Sequence, residues 1–190
     1  SHPFSMREPW LDMDVNSKGV INILEAIRRY HPDVRLVHVG TTTQIGRLVY
    51  SPADEKHPEF PTDIYSANKS VSEKYVLIYG CAHHLRTTVV RLPDTYGPRA
   101  CIRNPDLGFV NYFIGLGLQN KALTVFGDGR QRRNLCYVAD AVEALIMAGL
   151  SEQSNGEVLF AAAEQQYAVA ELAAAISAQL GGRVATVPWP

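Results

Sequence analysis

The residues best suited to chemistry in this 190-residue sequence are Tyr65 and Lys69, in the run Tyr65-Ser66-Ala67-Asn68-Lys69. On a helix, a spacing of i to i+4 puts both side chains on one face. A free phenol, with a pKa near ~10, is a poor base at neutral pH. A cation held beside it favours the phenolate and lowers that pKa. Such a pair can take a proton from an alcohol oxygen and return it. By itself the spacing is weak evidence, because a solvated Tyr–Lys surface pair satisfies it equally well. The residues around the pair therefore decide. Thr42 lies shortly upstream, at the end of an apolar run, where a hydroxyl donor to the same substrate oxygen is required.

The elements that must position these groups read as alternating helices and strands. Asp12 to Tyr30 is expected as a helix, with Val15, Ile23, Leu24 and Ile27 for its buried face, stopped by His31-Pro32-Asp33. Val34 to Val39 reads as a strand ending at Gly40 and Thr41-Thr42-Thr43, followed by a proline-rich, charged loop over Ser51 to Pro61. A helix is expected from Asp63 to about Tyr79, and a strand over Thr87 to Leu92 that ends at Pro93. Further helices are expected over Leu107 to Gln119, over Asp140 to Leu150 with Asp140 as N-cap, and over Val169 to Leu180, closed by Gly181-Gly182. Leu123 to Phe126 and Val158 to Ala161 read as strands. Strands without strict alternation, separated by helices, indicate an α/β fold with a parallel sheet covered on both faces. Ligands bind such sheets at the carboxyl ends of the strands. Thr41 to Thr43 and Pro93 to Tyr96 both fall there.

Bulk properties narrow the function classes. The hydrophobic fraction is 46%, the charged fraction 19% and the formal net charge −1, which gives no global electrostatic reason to expect nucleic acid or an anionic membrane as partner. Apolar runs such as Val169 to Ile176 are too short to span a bilayer. Cys81, Cys101 and Cys136 are widely spaced and odd in number, as expected of reduced thiols in a cytoplasmic protein. No leader pattern opens the chain, so nothing indicates secretion. His83 and His84 are adjacent and lack companions at ligand spacing, so no metal site is expected; they read as polar residues at a helix end.

Further motifs occur in a fixed order: Asn16-Ser17-Lys18-Gly19, then Arg91-Leu92-Pro93-Asp94-Thr95-Tyr96-Gly97-Pro98, then Gly127-Asp128-Gly129-Arg130-Gln131-Arg132-Arg133-Asn134 before Tyr137-Val138-Ala139-Asp140. Together with Thr42 and Tyr65/Lys69, this ordered set resembles the NAD-dependent epimerase/dehydratase family, the extended short-chain dehydrogenases, over nearly all of the chain. The resemblance implies a Rossmann-like doubly wound parallel sheet, incomplete at its N-terminus, with part of a small C-terminal substrate-binding region. Residues 1–100 would then be the C-terminal part of the dinucleotide-binding domain. Residues 101–190 would mix substrate-binding elements with further Rossmann strands and helices.

The resemblance also implies roles. Tyr65 would be the acid/base, Lys69 would bind the nicotinamide ribose and depress the tyrosine pKa, and Thr42 would hydrogen-bond the reacting hydroxyl. Asn16 would help to hold the lysine in a proton relay; the competing reading is a helix residue bonded only to neighbouring backbone. Pro93 would approach the nicotinamide. Arg133 would grip a diphosphate, a task that suits the bidentate guanidinium, while Arg130 and Arg132 read as a solvated basic loop. Thr43, Asp94 and Ser5 fall at further substrate positions. The cofactor implied is NAD, with NADP as the alternative; the substrate is a nucleotide-sugar, and a homodimer is a further implication for which no residue pattern here marks an interface.

Departures from the family pattern sharpen the expectation. Family members commonly place Asn where Asp94 stands, and a carboxylate cannot donate there unless protonated. Dehydratases of the family carry an Asp-Glu pair where Thr43 and Gln44 stand, and a decarboxylase branch commonly carries Glu at the Gln44 position. Neither replacement can do that acid/base work, which leaves epimerisation, expected at C4 as in a UDP-glucose 4-epimerase, or simple alcohol oxidoreduction. The family's glycine-rich loop, GxxGxxG, is absent from these residues, so the chain reads as a fragment. The remaining alternative is a catalytically silent binding protein, separable from an enzyme by calorimetric titration with NAD and a UDP-sugar.

Overall fold

The computed structural model describes residues 1–189. Its chain forms two compact units, Ser1–Pro93 with Asp140–Ala161, and Asp94–Ala139 with Ala162–Pro190. The first crossing follows Pro93, and the chain returns to the first unit because a later strand completes its sheet.

In the first unit, β1 (Arg35–Thr41), β2 (Arg86–Leu92) and β6 (Val158–Phe160) form a parallel sheet in the order β1-β2-β6. The register pairs Arg35 with Arg86 and Thr41 with Leu92, so both strands end level with one another. β2 is central and covered on both faces; Thr87, Thr88, Val89, Val90 and Arg91 are all buried. That explains an apolar run without alternation. α3 (Gly19–Tyr30) and α4 (Ile64–His83) contribute Leu24 and Val76 to a core with Leu85 and Val89. Asp63 caps α4 by accepting from Ser66 N at 2.8 Å, a bond whose loss typically costs about 1 kcal/mol. The helix ends at His83, and His84 adopts a left-handed conformation (φ 57°).

The helix expected from Asp12 is divided. α1 (His2–Arg7) and α2 (Pro9–Met13) precede a π-turn over Asp14–Lys18, which passes into α3. A π-turn widens the helix by one residue and frees backbone groups from the usual ladder. Ser72 Oγ donates to the Asn16 carbonyl at 2.7 Å, so this local change is fixed from α4. α6 (Val138–Leu150) starts two residues before Asp140, which is thereby inside its first turn and not the N-cap.

A cluster of buried charge joins α4 to β2. Arg91, 1% exposed, donates from Nε to Glu73 Oε2 at 2.8 Å and from Nη2 to Glu73 Oε1 at 2.6 Å. Its Nη2 also meets Glu59, and its guanidinium lies 5.5 Å from the Phe160 ring centroid. Lys74 Nζ bonds Glu59 at 2.8 Å and Glu73 at 2.9 Å. Burial pushes the Glu73 carboxyl up, but the bonds from Arg91 and Lys74 more than offset this and hold it below its ordinary value.

In the second unit, β3 (Asp94–Tyr96) pairs parallel with β5 (Arg132–Tyr137), which pairs antiparallel with β7 (Gln166–Ala168). β4 (Leu123–Phe126) runs parallel to β8 (Val184–Val187). α5 (Phe109–Leu118) and α7 (Val169–Leu180) close a core of Phe113, Leu123, Val125, Val169 and Ala173. Gly127 and Gly129 take positive φ of 67° and 68° in the turn after β4. A Cβ at Gly129 would lie 2.7 Å from both Ala170 and Val125, so the turn requires glycine there on two counts.

His38, at the centre of β1, is buried with Nε2 unpartnered. Burial first, and the Lys69 cation second, lower its pKa to about 4, against a smaller upward pull from Glu73. The unfolded imidazole titrates near ~6.5, so the unfolded chain binds more protons between these two values. The contribution to stability is complete above pH ~6.5 and falls as pH drops towards 4, by about 3 kcal/mol at most. His38→Leu is expected to flatten that part of the pH dependence of the urea-unfolding free energy. An unchanged acid slope in the variant would contradict this assignment.

Candidate active site

The carboxyl end of β1 turns directly into a single 3₁₀ turn, Thr42–Ile45. A capping box holds it: the Thr41 side chain accepts from Thr43 N at 3.3 Å, and the Gln44 side-chain oxygen accepts from Thr41 N at 3.5 Å. Gln44 is fully buried, and its amide donates to Glu73 Oε2 at 2.7 Å. The turn that carries the candidate hydroxyls is therefore anchored to the charge cluster beneath it.

Tyr65 and Lys69 occupy the first turns of α4, beside this strand end. The Thr41 hydroxyl lies close enough to the Tyr65 phenol to lower its pKa, and Lys69 Nζ donates to the Val39 carbonyl at 2.6 Å. The tyrosine, the lysine and a threonine of the expected run thus meet where a parallel sheet binds ligands. The threonine that acts on the phenol is Thr41, one residue before Thr42. Thr42 itself opens the 3₁₀ turn and is part-buried.

The electrostatics correct one expectation. Burial raises the Tyr65 pKa, Asp12 and Asp63 raise it further, and the Thr41 hydroxyl opposes them. Within the chain, burial and the two carboxylates outweigh any lowering of the phenol by Lys69, whose ammonium donates to the Val39 carbonyl. Burial lowers the Lys69 pKa, partly offset by Glu73 and Asp12. One bond to Val39 leaves two of the three ammonium donors for another partner. Paired donors of that kind suit the vicinal hydroxyls of a ribose, so the residues present fit a nucleotide cofactor.

Asn16 is not joined to Lys69. Its amide donates back to the Asp12 carbonyl at 3.2 Å, a contact within its own helix, because the π-turn directs it there. Ser5 is fully buried; its hydroxyl accepts from Tyr65 N at 3.0 Å and donates to the His2 carbonyl at 2.8 Å. Its hydroxyl is consumed in tethering the first turn of α4 and not open to a substrate. Thr43 bonds Thr41 at 3.0 Å between hydroxyls and accepts from Ser66 Oγ at 3.2 Å. Pro93 directly follows β2 at its carboxyl end. In the second unit, Arg133 Nε lies 3.8 Å from Asp94 Oδ2, pairing two residues that the sequence treats separately. Arg132 donates to the Gln166 carbonyl at 2.6 Å, and Arg130 lies 3.6 Å from Asp128 on an exposed loop.

Several residues escaped the sequence reading. Asp12 is buried and accepts from Asn68 at 2.9 Å, while Ser17 donates to the other end of the same amide at 3.2 Å. Only the folded chain brings these residues together. Thr41 and Gln44, by contrast, carry a sequence signal, the T-x-x-Q spacing of a capping box. Gln44→Leu should destabilise the fold by about 1–3 kcal/mol, since it removes a donor from a buried carboxylate. Chemical unfolding monitored by circular dichroism checks this, and a variant as stable as the parent would deny Gln44 its anchoring role.

Comparison with known proteins follows this geometry closely. The model of the NAD dependent epimerase/dehydratase family matches residues 1–162. A putative UDP-glucose 4-epimerase of Methanocaldococcus jannaschii is 34% identical over 144 residues, 76% of this chain and 47% of the relative. A UDP-N-acetyl-alpha-D-glucosaminuronate decarboxylase of Bacillus cytotoxicus is 33% identical over 164 residues, 85% of this chain and 50% of the relative. The chain thus spans about half the length of these relatives. Among solved structures, UDP-glucose 4-epimerase of Thermus thermophilus in complex with NAD superposes with a TM-score of 0.88 at 28% identity, over 99% of this chain and 62% of that one. The Thermotoga maritima UDP-glucose 4-epimerase with UDP-glucose gives 0.90 at 26%, over 99% and 60%.

Proposed function

The chain belongs to the NAD dependent epimerase/dehydratase family, and on that premise we propose that the whole protein epimerises a nucleotide-diphosphate sugar, at C4, with NAD as its bound cofactor. The observation that carries this reading is the convergence of the Tyr65 phenol, the Lys69 ammonium and a threonine hydroxyl on the carboxyl end of β1. The relatives and neighbours bearing the name UDP-glucose 4-epimerase support the substrate class. Relatives named as decarboxylases and dehydratases match at comparable identity, so the residues must discriminate. Thr43 and Gln44 lack the carboxyl groups expected of those chemistries, and Gln44 is buried against Glu73.

Lys69 would hold the ribose hydroxyls of the nicotinamide nucleotide with its two remaining donors, and its charge would favour the Tyr65 phenolate there. NAD, when bound, would supply the hydride chemistry at the sugar carbon. Tyr65 removes the hydroxyl proton as the alcohol becomes a ketone, while the neighbouring threonine hydroxyl, from Thr41 or Thr42, donates to the reacting oxygen. Arg133 grips the diphosphate, and Asp94 holds its guanidinium in place. When the ketone presents its other face, Tyr65 returns a proton to the same oxygen and the configuration at that carbon is inverted.

Tyr65→Phe in the full-length protein removes the acid/base but keeps the ring. Its turnover of UDP-glucose to the C4 epimer should fall by about 10²–10⁴-fold, with an unchanged far-ultraviolet dichroism spectrum. Activity near that of the parent would reject Tyr65 as the base. Net accumulation of reduced cofactor in step with product would identify a dehydrogenase instead, because an epimerase recycles its NAD within each turnover.

A further inference from the structure

In the first unit, α4 is joined to the helical segment before α3 by a side-chain amide held at both ends. Asn68 Nδ2 donates to Asp12 Oδ1 at 2.9 Å, and Asn68 Oδ1 accepts from Ser17 Oγ at 3.2 Å. An ionised carboxylate can only accept, so the orientation of the amide is dictated. Asp12 and Ser17 are 4% and 7% exposed, which keeps competing water from both bonds. The two stand five residues apart, a spacing that a regular α-helix turns to different sides. The π-turn takes in one extra residue, with Gly19 N–H donating to the Asp14 carbonyl, and so lets Asp12 and Ser17 meet the same amide. One turn further along α4, Ser72 Oγ donates to the Asn16 carbonyl at 2.7 Å. Two successive turns of α4 are thus fixed against one segment. Asn68 and Ser72 are spaced i to i+4, as are Tyr65 and Lys69, and the two pairs form neighbouring stripes on the helix. The rotation of α4 about its axis decides where the phenol and the ammonium point.

We propose that Asn68 and Asp12 are positioning residues of the Tyr65/Lys69 pair: the Asp12–Asn68–Ser17 bridge sets the rotation of α4, and the Asp12 carboxylate fixes the charge beside the pair. The proposal rests on the reading of Tyr65 as the acid/base. Apolar burial is non-directional, so the packing of Val76 against Leu24 and Val89 tolerates a small turn of the helix. A two-ended amide does not, because a turn that lengthens one bond strains the other as well. Asp12 raises the Tyr65 pKa and also supports the charged form of Lys69 against burial. The other titratable groups about Tyr65 are Asp63 and the His2 ring, which lies edge-on with centroids 5.0 Å apart. Those about Lys69 are Glu73 and His38. Among these carboxylates, Asp12 is the one that acts on both members of the pair. One side chain thereby anchors the helix and sets the local charge.

The test is steady-state turnover of UDP-glucose by the full-length, NAD-loaded protein, followed across pH in three variants. Asn68→Asp removes the donor and sets a second carboxylate against Asp12. Asp12→Asn keeps an oxygen for the Asn68 amide but removes the charge. The double variant Asp12→Asn/Asn68→Asp exchanges donor and acceptor, and position 68 still accepts from Ser17. In Asn68→Asp, kcat should fall by about 10- to 100-fold with KM for UDP-glucose nearly unchanged, and the double variant should regain most of that loss. The low-pH limb of kcat/KM should move to higher pH in Asn68→Asp, to lower pH in Asp12→Asn, and back towards the parent in the double variant. A merely structural clamp would not move the limb. Asn68→Asp turning over at the parent rate, or a double variant no faster than Asn68→Asp, would overturn the bridge. Limbs that coincide in all variants would overturn the role of the Asp12 charge. Should Asn68→Asp fail to fold, the double variant decides, and turnover more than about tenfold below the parent overturns the bridge. Parent-rate turnover in Tyr65→Phe would instead defeat the assignment of the base, and is read separately from these variants.

Discussion

A buried guanidinium must be paired, and the pairing of Arg91 with Glu73 organises the first unit. Removing one member of such a pair typically costs several kcal/mol, because an uncompensated charge stays in a low dielectric. Arg91 comes from β2 and Glu73 from α4, so the bond fixes the helix on the sheet at one register. Glu59 brings the proline-rich loop to the same point, and Gln44 brings the turn after β1. A strand, a helix, a loop and the turn after β1 are thereby referred to one set of charges. Hydrophobic burial through Leu24, Val76, Leu85 and Val89 supplies area but little direction. The ionic cluster supplies the direction.

From that anchoring follows the position of the reactive groups. α4 is capped at Asp63 and tethered through Ser5 to the first helix, so Tyr65 and Lys69 project from its best-fixed turns. The level ending of β1 and β2 places Thr41 beside them. Burial then sets opposite tendencies, raising the phenol pKa and lowering that of the ammonium. Both shifts disfavour the charged forms, which makes the pair dependent on further interactions to generate a phenolate. The donors of Lys69 that Val39 leaves over answer that need by keeping a cation close.

How much was legible in the sequence depended on whether a feature is local. The i to i+4 spacing of Tyr65 and Lys69, the strand over Leu123–Phe126 and the helix over Val169–Leu180 are set by neighbouring residues and periodicity, and the structure has them where expected. β3, β5 and β7 were not visible, since two of them have three residues each and β5 begins with polar, exposed side chains. The bond that Asn16 makes within its own helix was not legible for a related reason. A π-turn depends on a bond from Ser72, in another helix, and no local pattern announces it.

The α/β class, the family and the candidate side chains were legible in the chain alone, because residue type, order and helical spacing are its properties. Tertiary structure decided which threonine acts on the Tyr65 phenol, that Ser5 is spent on backbone, that Asp94 pairs with Arg133, and that His2 pairs with Asp63. Those outcomes turn on contacts between residues far apart in sequence, His2 with Asp63 and Arg91 with Glu59 among them. Such contacts exist only once burial has removed water as the competing partner, and no spacing rule encodes them.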